Sequence, residues 1–205
     1  MNHRHLCRTA LAAASPLMFA ACASTVVDAQ WRNVDLPANY LRGATVMVNC
    51  EAADLVLRQI CEDRVGAELG ARGAVAVLAA PGTVAAAQPG VVDMQYLPAA
   101  RDSGAKAVLG VTVSASTAAV SQGMTLSIGG FGFGNHSAGG VGVSAPIGGG
   151  QVSNGYTANS RITDVASGRL MWTARASTPP SSDVNGQLAE LSKTVLDAAA
   201  KAGLF

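Results

Sequence analysis

The stretch that decides the fold is residues 105–116, which read AKAVLGVTVSAS. Its first half is almost continuously apolar, and valine and threonine are favoured on the pleated surface of a sheet. A strand that is apolar on both of its faces is covered by neighbouring elements on both sides. The stretch therefore predicts an interior strand, around which the rest of the chain is arranged.

Downstream of this strand, the sequence indicates a hairpin and a terminal helix. Residues 156–165 form one strand, residues 166–168 the turn and residues 169–177 the returning strand. Apolar residues alternate with polar ones in the return, as is typical of a sheet covered on one side. The shared apolar face holds Leu170, Trp172, Ala174 and Ala176. Residues 183–202 then carry an apolar stripe at helical spacing, formed by Leu188, Leu191, Val195 and Ala199.

Upstream of the interior strand, residues 44–49 and 74–79 read as strands. Residues 54–72 between them carry apolar side chains at helical spacing, and Asp54 is a suitable N-cap. A short helix is predicted to follow, beginning at Pro98, since proline is favoured in the first turn.

Together these elements predict an α/β (α+β) fold. We expect a mixed sheet of about five strands with helices packed on one face. A Gly-rich hairpin or loop is inserted at residues 129–150, and the single domain spans residues 43–205.

The N-terminus reads as a signal peptide over residues 1–21, with early basic residues followed by an apolar run too short to span a bilayer. The run ends in Phe19-Ala20-Ala21-Cys22, which resembles the lipobox of bacterial lipoproteins. This resemblance implies cleavage before Cys22 and a lipid on its thiol. The alternative is an ordinary signal peptide cut near Ala21. Residues 22–42 are expected to be a tether, because they mix polar and small residues without sustained periodicity.

The net charge argues against a nucleic-acid partner. The whole chain carries +1, and the signal segment contains two arginines and no acidic residue, so the mature side chains carry −1. A basic footprint of the kind that binds phosphate backbones is therefore missing from the sequence.

Two cysteines, Cys50 and Cys61, remain after Cys7 is cleaved with the signal and Cys22 is acylated. An even pair in an oxidising compartment predicts a disulfide. Bridged Cα atoms must lie within about 7 Å, so the helix has to begin near Asp54 after a short loop. The alternative is a pair of buried free thiols.

A resemblance to a known family appears in two segments, SGAKAVLGVTV at residues 103–113 and YTANSRITDVASGRLMWTARAS at residues 156–177. With the Gly-rich stretch between them, these resemble an uncharacterised Gly-rich family of bacterial periplasmic lipoproteins. The architecture is similar to that of the curli-secretion lipoprotein and of the lipoprotein activators of penicillin-binding proteins. The resemblance implies an envelope lipoprotein with a periplasmic α/β domain.

The side chains required for catalysis or metal binding are scarce. The only histidine outside the signal, His136, lies in the Gly-rich segment. A Ser-His-Asp triad needs such a base held rigidly, and a zinc site needs three or four ligands. We therefore predict no catalytic residues, no metal and no cofactor. Phe131, Phe133 and His136 are instead candidates for contact with a partner.

The sequence thus predicts a non-enzymatic binding or assembly module. Ala23 and Ser24, which follow the cysteine, include no aspartate of the kind that retains lipoproteins in the inner membrane. By resemblance to known lipoprotein sorting rules, this implies the bacterial outer membrane, with the domain facing the periplasm. Its expected partners are the membrane, through the N-terminal lipid, and an unidentified envelope protein, with a homo-oligomer left open. The alternative function is a subunit of an oligomeric outer-membrane secretion pore, to which hairpins from the Gly-rich insert would contribute.

Overall fold

One mixed sheet organises the chain, with three helices packed against it in the parts that the structure describes. The structure is a computed structural model that describes residues 24–80, 92–120, 124–126 and 152–205. The strands are β1 (Val26–Arg32), β2 (Thr45–Glu51), β3 (Val75–Leu78), β4 (Ala107–Val120), β5 (Met124–Leu126), β6 (Val152–Asp164) and β7 (Leu170–Ser177). The helices are α1 (Leu55–Ala71), α2 (Val92–Asp102) and α3 (Val184–Lys201).

The sheet has a parallel half and an antiparallel half. Its strand order is β1-β7-β6-β4-β2-β3, and β5 pairs with the far end of β4. β2 runs parallel to both β3 and β4, whereas β4, β6, β7 and β1 pair antiparallel in succession. The predicted mixed α+β sheet is confirmed, with more strands than the expected five because β1 and β5 were not foreseen.

The apolar core lies between the sheet and the helices α1 and α3. Alternate residues of the interior strand β4, including Leu109 and Val111, point into it, as does the fully buried Trp172 of β7. Leu188 and Leu191 of α3 cover this layer. The interior position of β4 and the apolar face of β7 are thus as predicted.

Helix α2 departs from the predicted arrangement in its face and in its length. It packs on the opposite side of the sheet, where Leu97 and Ala100 join Met47 and Val108 in a second small cluster. It also begins at Val92, so Pro98 lies inside it and not in its first turn. A helix on each side follows from the chain path, since β2 to β3 and β3 to β4 run in opposite directions across the sheet and such parallel connections are right-handed.

The ends of α1 and α3 are set by aspartate caps. The Asp54 side chain accepts hydrogen bonds from the backbone N–H groups of Val56 and Leu57. The Asp183 side chain accepts one from Gly186 N–H. Such caps satisfy donors that lack a partner within the helix, which is why both helices begin where the sequence indicates.

The expected tether over residues 22–42 is wrong for most of its length. Residues 26–32 form β1, which pairs antiparallel with β7. Further along, Leu36, Tyr40 and Leu41 are buried in the main core. The domain therefore begins close to Cys22, and only a few residues separate the predicted acylation site from folded structure.

A polar clasp fastens this N-terminal segment to the sheet. The Tyr40 hydroxyl donates to the Asp164 carboxylate at the end of β6. Lys106 Nζ donates to the Tyr40 backbone carbonyl at 2.7 Å and lies 4.3 Å from the ring centroid. Burial, followed by the Asp164 carboxylate, raises the pKa of Tyr40 above its usual range. The phenol therefore stays protonated and keeps donating.

The Gly-rich insert at residues 129–150 lies outside the described residues, but the strands that flank it are described. β5 and β6 pair with β4 on either side, with Leu126 opposite Ala118 and Val152 opposite Val120. The connection from β5 to β6 thus starts and ends beside the outer end of β4.

We expect Leu41→Ala to lower the free energy of unfolding by about 2–5 kcal/mol, because the side chain is 0% exposed in the core. Val34→Ala is the matched control, since Val34 belongs to the same segment but is 94% exposed. Urea titrations of both variants measure the difference. Equal, small effects would mean that residues 33–42 are a tether after all.

Candidate functional site

The candidate site lies at the carboxyl end of β2, where the chain changes direction across the sheet. From β2 the chain leaves through α1 to β3 on one side, and then returns through α2 to β4 on the other. The two helices lie on opposite faces. In open α/β sheets, the crevice at such a point, outside the carboxyl ends of the strands, is where ligands bind.

A disulfide fixes the position of this strand end. Cys50 on β2 is bonded to Cys61 on α1, and their Cα atoms lie 6.1 Å apart. Because successive side chains of a strand point to opposite faces, Cys50 faces α1 while its neighbours Asn49 and Glu51 face the other way. The bond therefore holds the strand that carries these two polar side chains.

The face opposite α1 carries a polar groove of about 220 Å³. Neighbouring strands and the first turn of α2 supply its walls, which are formed by Asn49, Glu51, Asp93, Gly110, Val111, Thr112, Asn159 and Arg161. Most of these groups can form hydrogen bonds, so the groove is suited to a polar ligand or to a polar part of a partner.

Asp93, in the first turn of α2, is the charged centre of the groove. Its Oδ2 accepts from Arg161 Nε at 2.7 Å and from the Thr163 hydroxyl at 2.9 Å, both on β6. Gly110 makes this approach possible, because a Cβ atom there would lie 3.2 Å from Asp93 Oδ1. The ion pair holds α2 to the sheet while the Arg161 side chain stays 41% exposed.

Two groups on β2 lack partners at the groove wall. Asn49 is 5% exposed, and no described residue accepts a hydrogen bond from its Nδ2. Glu51 Oε1 is likewise buried and unpaired among the described residues. A buried polar atom without any partner costs about 1–3 kcal/mol, so these two atoms on the groove wall are available to hydrogen-bond to water or to a bound partner.

The environment of Glu51 disfavours its charged form. Burial raises the pKa of its carboxyl, and the nearby negative charge of Asp93 adds to this effect. The Thr112 hydroxyl, 3.5 Å from Oε2, opposes it only in part. A partner that donates a hydrogen bond to Glu51 or brings positive charge would stabilise the charged carboxylate and lower its pKa.

A wider groove of about 760 Å³ continues from this point towards the outer end of β4. It adds Arg58 of α1, Tyr96 of α2 and Tyr156 of β6 to the lining. Burial, followed by the charge of Glu51, raises the pKa of Tyr96. The two grooves are continuous, since both include Asn49, Glu51 and Thr112.

Of the site residues predicted from the sequence, Cys50 and Cys61 lie at this strand end. Cys22, Phe131, Phe133 and His136 are all outside the described residues, and the roles predicted for them stay predictions. Within the described ranges, no group of three or more His, Cys, Asp or Glu side chains could hold a metal ion. The helices in those ranges include none that is long and apolar enough to cross a membrane.

Asn49, Asp93 and Arg161 were missed by reasoning from the sequence. Asp93 and Arg161 are 68 positions apart, so no local pattern links them. The available signal was Asn49 itself, a polar residue directly after the apolar run Val46-Met47-Val48 of β2.

Comparison with known proteins gives a likeness of fold. No family model matches the chain, and no curated protein matches it. A PelC dodecamer from Paraburkholderia phytofirmans is a similar solved structure, with 15% identity, a TM-score of 0.48 and coverage of 84% of this chain and 97% of that chain. Lipoprotein GNA1162 from Neisseria meningitidis gives 17% identity, a TM-score of 0.40 and coverage of 77% and 99%.

Relative to the wild type, Glu51→Gln should have a higher free energy of unfolding at neutral pH than at pH 4. A carboxyl whose pKa is raised by folding stabilises the domain below the unfolded pKa, about 4.3 for glutamate. That contribution is lost as the pH rises through the folded pKa. Glutamine cannot ionise, so the variant avoids the loss.

Urea unfolding of the wild type and the variant at both pH values measures this effect. Glu190→Gln on the exposed side of α3 controls for the removal of one negative charge. A stability difference between Glu51→Gln and wild type that is the same at both pH values would contradict the expectation.

Proposed function

We propose that the mature chain is a lipid-anchored lipoprotein of the bacterial envelope that binds a partner without catalysing a reaction. The polar groove beside Asn49 and Glu51 is its binding site, and the partner is an envelope protein on the periplasmic side of the outer membrane. The lipobox-like segment before Cys22 supports the anchor, and Ala23 and Ser24 favour the outer membrane.

The observation that carries the binding role is the buried Asn49 amide with no acceptor among the described residues. Its side chain lines a groove whose other walls carry an oriented ion pair, Asp93 with Arg161. A partner group that accepts from Asn49 and donates to Glu51 would satisfy both unpaired atoms. Such complementarity favours recognition, because a mismatched partner leaves these groups desolvated and unpaired.

The Gly-rich insert is proposed as a second contact with the same partner. β5 and β6, which flank the segment that contains Phe131, Phe133 and His136 in the sequence, both pair with the outer end of β4. Thr112 and Ser114 of that strand line the wider groove. A partner seated in the groove would therefore lie close to both ends of the insert.

Photo-crosslinking in intact cells tests the proposal. A photoreactive residue at Thr112, exposed in the groove, should capture one discrete partner, whereas the same residue at Glu190 on α3 should not. Adding Asn49→Leu should reduce capture at Thr112. The same change should leave the free energy of unfolding unchanged or raise it by about 1–3 kcal/mol, since it removes an unpaired buried donor.

Equal capture at both positions, or capture unaffected by Asn49→Leu, would contradict a binding role for the groove. Capture of further copies of this chain as stable rings would instead favour the pore subunit.

We expect Cys22→Ser to release the protein from membranes, because serine lacks the thiol that accepts the lipid. Membrane fractionation and the intact mass of the processed chain measure this. Ala23→Ser keeps the thiol and serves as the control. Unchanged membrane partition of Cys22→Ser together with a normal mature mass would contradict the anchor.

Replacing residues 129–150 with a short Gly-Ser linker should leave the thermal midpoint nearly unchanged and abolish capture at Thr112. β5 and β6 lie on either side of β4, so the linker bridges two strand spacings, about 10 Å. Thermal unfolding and crosslinking of the same variant measure both effects. A large fall in the midpoint would show that the insert contains part of the core.

A further inference from the structure

β1 is an edge strand whose apolar side chains are exposed. All of its residues are exposed, and no other described strand pairs with its outer side. Val26, Val27 and Trp31 are 48%, 38% and 49% exposed. Edge strands are normally protected by charges, bulges or a covering element. β1 has a bulge after Val27 and charges at Asp28 and Arg32, yet its large apolar side chains stay exposed and available to an occupant.

The length of chain before β1 identifies that occupant. Four residue steps separate Cys22 from Val26, and an extended chain spans at most about 3.6 Å per residue. The first residue of β1 therefore lies within about 14 Å of the proposed acylation site. A lipid in the bilayer thus brings this edge of the sheet to the membrane surface.

The side chains of β1 suit the interfacial region of a bilayer. Tryptophan is enriched there, because its ring is apolar and its N–H is polar. Asp28 does not oppose this, since its carboxylate accepts from the Ser177 hydroxyl at 2.9 Å and lies 3.8 Å from Arg175 Nε. The unpaired backbone groups of the edge exclude the hydrocarbon core but can be hydrated among the headgroups.

We propose that β1 is a membrane-contact strand, laid along the headgroup region of the bilayer that holds the Cys22 lipid, with Val26 and Trp31, which the pleat places on one face, embedded in it. The proposal rests on the proposed function, because it needs the anchor. It adds that the lipid and the strand together orient the domain. Lipid chains alone would let the domain rotate freely beneath the membrane.

The chain contains two tryptophans with opposite environments, which makes a direct test possible. Trp31 is on the exposed edge, whereas Trp172 is 0% exposed in the core. The full-length lipidated protein is reconstituted in vesicles of phosphatidylethanolamine and phosphatidylglycerol, with or without bromine on the acyl chains near the headgroups. We expect the bromine to quench Trp31 emission and a Trp31→Phe variant to show no quenching.

The possible outcomes separate the inference from the function on which it rests. If intact mass shows no lipid on Cys22, the proposed function and this inference both fail. If the lipid is present and bromine leaves the emission unchanged, the membrane contact alone is refuted. A third outcome is that the soluble Cys22→Ser protein forms concentration-dependent oligomers that a further Trp31→Lys substitution abolishes. That result would assign the edge of β1 to a second copy of the chain and would also overturn the membrane contact.

Discussion

The whole structure depends on the pairing of β4 with two partners of opposite sense. On one side it pairs with the parallel strand β2, and on the other with the antiparallel strand β6. Because both partners fix its register, the pleat assigns Leu109 and Val111 to the main core and Gly110 and Thr112 to the opposite face. A slip of one residue would exchange these sets and place the polar face against α1 and α3.

The unequal lengths of these two partners create the groove. β2 ends at Glu51, opposite Thr112, whereas β6 continues beside β4 as far as Val120. Past Glu51, β4 has no described partner on this side until β5 pairs with Ala118 to Val120. The polar end of β2 is therefore left beside this open stretch of β4. On the face opposite α1, helix α2 covers the sheet only as far as the Asp93–Arg161 ion pair. The site is thus a consequence of sheet topology and not of a local motif.

The sequence was informative where burial and local geometry impose a pattern. The alternation around Trp172 and the cap at Asp54 each determine the type and limits of an element, and both were predicted correctly. β1 was missed because its residues are exposed on both faces, which leaves no alternation, and because its partner β7 lies more than 130 residues away. The face chosen by α2 and the meeting of Asp93 with Arg161 are likewise set by long-range packing. No pattern within a short stretch of sequence encodes them.

The bond between Cys50 and Cys61 makes the stability of the domain depend on where the chain is located. Thiols stay reduced in the bacterial cytoplasm, so a newly made chain there lacks the link between β2 and α1. Closing a loop of this size contributes roughly 2–3 kcal/mol in the chain-entropy description. For a chain exported as proposed, the precursor would therefore be easier to unfold before translocation than the mature domain afterwards. Oxidation after passage across the inner membrane would then oppose unfolding and retain the chain in its folded form.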